Sequence, residues 1–198
     1  IVNAMNPQIM KAEGAGERQK MIRLCAYESK YAFLLLAMVV IPLIAEMETI
    51  LHVWLGEVPV HAVMFCRFIL IAALCDQISI GWTSANQAIG KIRTYSIIFY
   101  TLKLLVVLIA WWCLQEGLPI ISVMWGYVAI EFIGSFVRLP LMKHIANIPI
   151  TPFFKNVFLR IIGPLATMVV VCYSSAILID IPYRLILTFS CSIVVGVL

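Results

Sequence analysis

Charged side chains are scarce in this chain of 198 residues. Asp, Glu, Lys and Arg together make up 12% of it, whereas hydrophobic residues make up 63% and the mean hydropathy is +1.04. A water-soluble domain has about twice that charged fraction, and a single core in water could not hide so much apolar surface. The composition therefore excludes a soluble domain and predicts that lipid surrounds most of the chain.

The sequence also lacks the residue patterns that carry catalysis or metal binding. Its six cysteines are scattered singly without a C-x-x-C, and its three histidines show no ligand spacing. Single cysteines in apolar stretches are typical of small hydrophobes packed between helices. No nucleophile with a paired histidine and no phosphate-binding loop is visible, so we predict neither an enzyme nor a bound cofactor. The basic residues lie in loops beside apolar runs, which does not indicate a nucleic-acid surface.

The chain opens with Ile1 rather than Met and stops at Leu198 inside an apolar run, and no cleavable signal is evident. We therefore expect it to be a piece of a longer protein, cut at both ends.

Apolar runs long enough to cross a bilayer dominate what remains. A membrane helix needs about 20 mostly apolar residues, whereas barrel strands would be about ten residues of alternating polarity, and these runs do not alternate. The sequence thus predicts an all-α integral membrane protein, a polytopic helix bundle with about six transmembrane helices. The predicted spans are Tyr31–Leu51, Val60–Trp82, Tyr95–Leu114, Leu118–Met142, Val157–Ile179 and Tyr183–Leu198, the last one truncated.

Basic residues alternate between the predicted loops. Before the first span and after the second and fourth spans they are frequent, whereas the opposite loops carry mainly Glu, Asp and His. The positive-inside rule then places residues 1–30, 86–93 and 143–155 in the cytoplasm. We divide the chain into a cytoplasmic connector, 1–30, and a transmembrane bundle, 31–198. The five tryptophans lie mostly near predicted span ends, where interfacial aromatic belts explain them better than sugar stacking.

Within the connector, an amphipathic pattern starts at Gly16. The apolar residues Met21, Leu24 and Cys25 are spaced i, i+3, i+4, with charged residues between them. This spacing predicts a short amphipathic helix that lies on the inner leaflet and leads into the first span.

Three stretches of the sequence carry a family resemblance. "NPQIMKAEGAGERQKMIRL" resembles the cytoplasmic loop after an inner-membrane helix in polysaccharide flippases of the Wzx type. "ILHVWLGEVP" is similar to the Trp-Leu-Gly exit from that family's next helix, and "SANQAIGKIRTYS" is similar to its Gly-Lys cytoplasmic turn. The resemblance covers essentially the whole chain in order and spacing. These flippases belong to the multidrug/oligosaccharidyl-lipid/polysaccharide exporter superfamily.

The resemblance implies a transporter of 12–14 helices, of which this chain would be the later part. It implies a bacterial inner-membrane location and the transfer of a lipid-linked oligosaccharide, a polyprenyl-diphosphate repeat unit, for surface polysaccharides such as the O-antigen of lipopolysaccharide. Membrane lipids and other polysaccharide-assembly proteins would be its partners, with proton or sodium coupling. A cation-coupled multidrug exporter of the same superfamily is the alternative, and a membrane polysaccharide-assembly enzyme is another, although the short loops disfavour it.

Five ionisable residues lie inside the predicted spans, where charge is costly and so points to function. The set is Arg67, Asp76, Lys103, Glu131 and Arg138. We interpret Arg67 and Lys103 as cavity cations for the diphosphate, and Asp76 and Glu131 as contacts for sugar hydroxyls or a coupling ion.

Each of these residues also has a structural interpretation. Arg67 and Lys103 have stems long enough to reach the headgroups, and Arg138 would anchor at the inner interface. Asp76 would be a hydrogen-bonded residue near that interface. Glu131 lies nearer the midplane, about 10 Å along the helix from Arg138, so it needs a partner on another helix or a wet cavity.

Prolines within predicted spans remove helix hydrogen bonds. Pro42 in the first span and Pro164 in the fifth are predicted hinges for alternating access. The alternative is that they are packing irregularities that neighbouring helices tolerate.

Overall fold

The computed structural model describes residues 2–90, 92–146, 150–178 and 190, and this part of the chain is helical throughout, with no strand. Among the ranges 2–90, 92–146 and 150–178, eight helices follow one another with short connections. They are α1 (Val2–Gly14), α2 (Arg18–Ala45), α3 (Met47–Leu55), α4 (Ala62–Gln77), α5 (Ile80–Ile89), α6 (Ile92–Gln115), α7 (Ile121–Ala146) and α8 (Ile150–Leu178).

Three of these helices are long and apolar enough to cross a membrane: α2, α6 and, within α7, Ile121–Leu141. A fourth span is present if α4 and α5, which meet at an angle of 44°, count as one bent span. The all-helical membrane fold is therefore confirmed, but with three or four spans among the described residues instead of six. Within α8 the apolar part is the shorter Leu159–Ser174, and the predicted sixth span, Tyr183–Leu198, lies almost wholly outside the described residues.

Helix α2 runs without interruption through the predicted boundary at residue 30. The amphipathic stretch expected as a separate helix forms the first turns of α2. Its apolar residues Met21 and Cys25 are fully buried in the protein core. The stretch is thus continuous with α2 and not a short helix of its own, and α1 and α5 pack against α2 and bury these apolar residues there.

Two predicted cytoplasmic loops are largely helical. In the first, α5 extends to Ile89 and α6 starts at Ile92, so the chain reverses in a tight turn at Gly90. Gly90 has a φ of +79°, and its N–H bonds the carbonyls of Asn86 and Gln87. Glycine closes a helix this way because it adopts the left-handed conformation without strain. In the second, α7 continues to Ala146 and α8 begins at Ile150.

Two of the predicted spans are broken. Helix α2 ends at Ala45, three residues after Pro42, and α3 restarts at Met47. Helix α4 ends at Gln77, and α5 restarts at Ile80. By contrast, α8 continues through Pro164 without a break. The hinge roles of Pro42 and Pro164 stay predictions.

Helix α2 lies at the centre of the bundle and packs against α1, α4, α5 and α8, while α7 packs against α4 and α6. The approach of α5 to α2 is very close at Gly81. A Cβ added there would overlap the main-chain carbonyl of Cys25 and lie 2.8 Å from the Ser29 Oγ. The missing side chain of Gly81 is therefore what lets the bent span rest on α2.

Four of the five tryptophans are exposed: Trp54, Trp111, Trp112 and Trp125. They lie near the C-terminal ends of α3 and α6 and in the first turns of α7, which suits a belt at one membrane interface. The fifth, Trp82 on α5, is completely buried in the protein core. The interfacial interpretation is therefore wrong for Trp82, because α5 folds back against α1 and α2.

Candidate ion-pair site at the broken span

Four of the five predicted membrane charges form two ion pairs in the structure. Arg138 on α7 pairs with Asp76 on α4 at 2.7 Å, and Lys103 on α6 pairs with Glu131 on α7 at 2.9 Å. Helix α7 contributes one residue to each pair, and these two are the enclosed ones. Their side chains are 4% and 5% exposed, whereas those of Asp76 and Lys103 are 30% and 35% exposed. We call these four residues the ion-pair site.

The Arg138 guanidinium makes three contacts at the end of α4. Its Nη2 donates to the Asp76 carboxylate at 2.7 Å, and its Nη1 donates to the Ser79 Oγ at 2.8 Å and to the main-chain carbonyl of Asp76 at 3.3 Å. A planar guanidinium suits such a multiple contact better than an ammonium group. One side chain of α7 thus holds both sides of the break between α4 and α5.

Helix α7 also provides a hydrogen-bond donor to a carbonyl in the last turn of α4. The Ser135 hydroxyl lies within hydrogen-bond reach of two carbonyls, that of Cys75 on α4 and that of Glu131 on its own helix at 3.1 Å. Unsatisfied carbonyls are costly inside a membrane, and a cation at a helix C-terminus is favoured by the helix dipole. Ser135 and Arg138 together therefore explain how the span can break at this depth.

An aromatic ring on α6 lies between the two pairs. The Phe99 ring centroid is 4.9 Å from the Lys103 Nζ and 4.1 Å from the Arg138 Cζ. Both distances are within the range of cation–π attraction. Tyr95, one turn earlier, stacks on Phe99 with centroids 6.0 Å apart and shares a hydrogen bond of 3.0 Å with Thr83 on α5. The ion-pair site is therefore continuous from α6 to the broken span.

Arg67 stands apart from this site. Its Nε donates to the carbonyl of Ile44 at 3.1 Å, where α2 ends. It is partly buried, and no carboxylate of the described residues lies within ion-pair distance of it. Arg67 thus stabilises the end of α2 as Arg138 stabilises the end of α4. The structure does not bring Arg67 together with Lys103.

The structure gives partners to the residues that the sequence left open. Glu131 binds the Lys103 ammonium group, and this is the partner on another helix that Glu131 required. Arg138 is enclosed against Asp76 and Phe99. Pairing leaves the four-residue site with no net charge. Whether any of these residues contacts a substrate remains a prediction.

Sequence reasoning missed the uncharged members of the site. Ser79, Phe99 and Ser135 are common residue types, and nothing in their local sequence marks them. The position of Ser135, one turn from Glu131 and three residues before Arg138, places all three on a similar face of a helix. That spacing is the one available signal for Ser135.

The described residues include no group of three or more His, Cys, Asp or Glu side chains that could hold a metal ion. Comparison of the chain with protein-family models, with curated proteins and with solved structures gave no match.

Proposed function

We propose that this chain is part of a membrane transporter that moves a lipid-linked oligosaccharide across a bacterial inner membrane. The observation that carries the proposal is the ion-pair site at the break between α4 and α5. Discontinuous spans with polar groups at the break are typical of secondary transporters, where they form substrate and ion sites near the midplane. The substrate class comes from the sequence resemblance to Wzx-type flippases.

The geometry suggests how such a site would receive an anionic headgroup. In each pair the residue on α7 is enclosed and its partner on α4 or α6 is partly exposed. Lys103 is therefore the accessible cation, and a diphosphate would compete with Glu131 for it. Arg67 would meet the substrate at a separate place, near the end of α2. The sugars and the diphosphate would occupy the polar region, and the polyprenyl chain would stay in lipid.

The first test compares the intact gene's deletion strain with strains that carry variants of the intact gene. We expect the deletion strain to lose surface polysaccharide and to accumulate completed repeat units on the cytoplasmic leaflet. Lys103→Met combined with Glu131→Gln should keep the protein folded, because a neutral pair can replace a buried ion pair at little cost. The same double variant should lose transport by about tenfold or more, equivalent to about 1.4 kcal/mol.

Two controls separate a transport role from a structural one. The exchange variant, Lys103→Glu with Glu131→Lys, keeps an ion pair but places the accessible charge with the wrong sign, so it should fold and transport poorly. Neutralising Lys103 alone would leave the enclosed Glu131 without its cation, so Arg67→Gln is added to the Lys103→Met, Glu131→Gln variant, where it should abolish the remaining transport. Full transport by these variants would contradict the cation role. Normal polysaccharide in the deletion strain, with no redundant flippase, would contradict the flippase function and direct attention to drug efflux.

A further inference from the structure

Glu28 on α2 has a carboxyl group that lies outside the ion-pair site and has no part in the proposed substrate binding. It is 0% exposed. The Ser84 hydroxyl on α5 donates to its Oε1 at 2.9 Å, and its Oε2 has no hydrogen-bond partner. No Lys, Arg or His nitrogen in the described part of the chain lies within 4.0 Å of this carboxyl group. Asp76 and Glu131, by contrast, each have a cationic partner.

The helix opposite Glu28 offers no charge to compensate it. Helix α5 has no ionisable side chain between Ile80 and Ile89. It contacts α2 through Gly81, whose N–H donates to the Ser29 Oγ at 2.9 Å, so the approach is too close to leave a water layer. Glu28 is therefore closed in by a polar but uncharged helix.

The other helices packed against α2 bring few ionisable groups to this end of it. Helix α1 carries Lys11 and Glu13, and Glu13 forms an ion pair of 3.4 Å with Arg18. On α8, Arg160 is exposed. On α2 itself, Arg23 is exposed, the Lys30 Nζ lies 5.7 Å from the Tyr31 ring centroid, and Cys25 lies one turn before Glu28. On α4, Asp76 is bound by Arg138 and Arg67 donates to the Ile44 carbonyl. The side chain of Lys155 on α8 is outside the described residues.

An ionised carboxylate enclosed without a cation is strongly unfavourable, and such groups are neutralised instead. We propose that Glu28 is a proton-binding site: its carboxyl group is neutral while α1, α2 and α5 are packed together, and it releases the proton when α5 separates from α2 and water reaches it. Proton binding at Glu28 does not depend on the transported substrate. The further step, that this proton couples transport, rests on the proposed transport function. In that case Glu28, and not Asp76 or Glu131, would be the coupling-ion site.

The sign of the effect follows from linkage. The packed arrangement holds the proton more tightly than the opened one, so low pH favours packing and rising pH favours opening. Cys25 is a natural reporter of this opening, because it lies one turn before Glu28, is 0% exposed, and contacts α5 at Gly81 through its main chain. Its reaction with N-ethylmaleimide should be blocked while the helices are packed.

The experiment measures maleimide labelling of Cys25 by mass spectrometry in membranes containing the full-length protein, between about pH 6 and about pH 9, a range that documented buried carboxyl groups reach. The rate at each pH is divided by the rate for detergent-denatured protein, which removes the intrinsic pH dependence of the thiol. In the wild type we expect the ratio to rise by about tenfold or more with pH. Glu28→Gln should keep the low-pH ratio throughout, and Ser84→Ala, which retains the acid, should keep the rise.

Four results would overturn the proposal. One is a flat wild-type ratio, and another is a rise that persists in Glu28→Gln. The third is protection of Cys25 by Na⁺ at constant pH that depends on Glu28, which would identify a metal-cation site instead. A Glu28→Gln protein that fails to fold would also count against it, because a site that holds a neutral acid should accept a neutral isostere. None of these readouts uses transport, so failure of the flippase assay would leave them unaffected.

Discussion

Arg138 on α7 binds both the side chain and the main chain of Asp76 on α4. One guanidinium nitrogen contacts the carboxylate at 2.7 Å, and the other contacts the carbonyl of the same residue at 3.3 Å and the Ser79 hydroxyl. The pair is thus more than a charge contact, because it also supplies hydrogen bonds that the broken helix needs. Because the Arg138 guanidinium supplies both a charge and several hydrogen bonds, removing both and removing only its forked geometry should have different effects on stability.

Arg138→Gln should destabilise the folded protein by about 3–5 kcal/mol, because it leaves the Asp76 carboxylate without its cation and removes one donor from the Asp76 carbonyl. Arg138→Lys keeps the charge but not the fork, so we expect it to recover only part of the loss. Thermal unfolding of purified protein in detergent measures both. Asp76→Asn added to Arg138→Gln should restore part of the stability, and an additive double mutant would contradict a direct pair.

Phe99 is expected to stabilise the folded protein through its contacts with both cations of the ion-pair site. Phe99→Leu keeps a large apolar side chain but removes the ring that lies against Lys103 and Arg138. Each cation–π contact contributes about 0.5–2 kcal/mol, so the variant should unfold at a lower temperature, whereas Phe99→Trp should retain most of the attraction. In the double-neutral Lys103 and Glu131 background the cost of Phe99→Leu should shrink. An unchanged cost there would exclude a cation–π contribution from Lys103, because the contact of Phe99 with Arg138 is still present in that background.

The contact at Gly81 predicts a steric effect of a single methyl group. Gly81→Ala would drive a Cβ into the Cys25 carbonyl and the Ser29 hydroxyl, so we expect a loss of about 1–3 kcal/mol, as for other overpacked interfaces. Gly14→Ala at the end of α1 is the matched control, because nothing lies within 4 Å of its added Cβ and its φ is not in the left-handed region. It should be neutral or stabilising, since alanine is the better helix former. Equal thermal shifts for the two would contradict the close packing of α5 on α2.

The tryptophans predict a pattern of quenching by lipid. In single-tryptophan variants reconstituted with lipids brominated near the headgroup, Trp111 and Trp125 should be quenched strongly, because both are exposed at one end of the bundle. Trp82 should be quenched weakly, because it is enclosed by protein. Strong quenching of Trp82 would show that α5 faces lipid and would contradict its position against α2.

The all-helical membrane class of this protein could be predicted from its sequence because each apolar run can be recognised separately. Long apolar runs such as those of α2 and α6 need no knowledge of their neighbours, since the bilayer acts on each helix separately. The same is true of the cost of charge inside a span, which identified Asp76 and Glu131 as notable before any partner was known. The break between α4 and α5 was harder to predict, because "CDQISIGW" carries no proline and was interpreted as part of one continuous span.

What only the tertiary structure decided is which groups meet. Lys103 and Glu131 are 28 positions apart, and Asp76 and Arg138 are 62 positions apart, so their pairing depends on how α7 lies between α4 and α6. Trp82 and Glu28 are buried because α5 turns back onto α2, a consequence of the break at Ser79 and of the space left by Gly81. Sequence determines local cost and periodicity, since these act within one helix. Packing between helices determines whether each ionisable group is paired with an opposite charge, bound to a carbonyl or enclosed without a counter-ion.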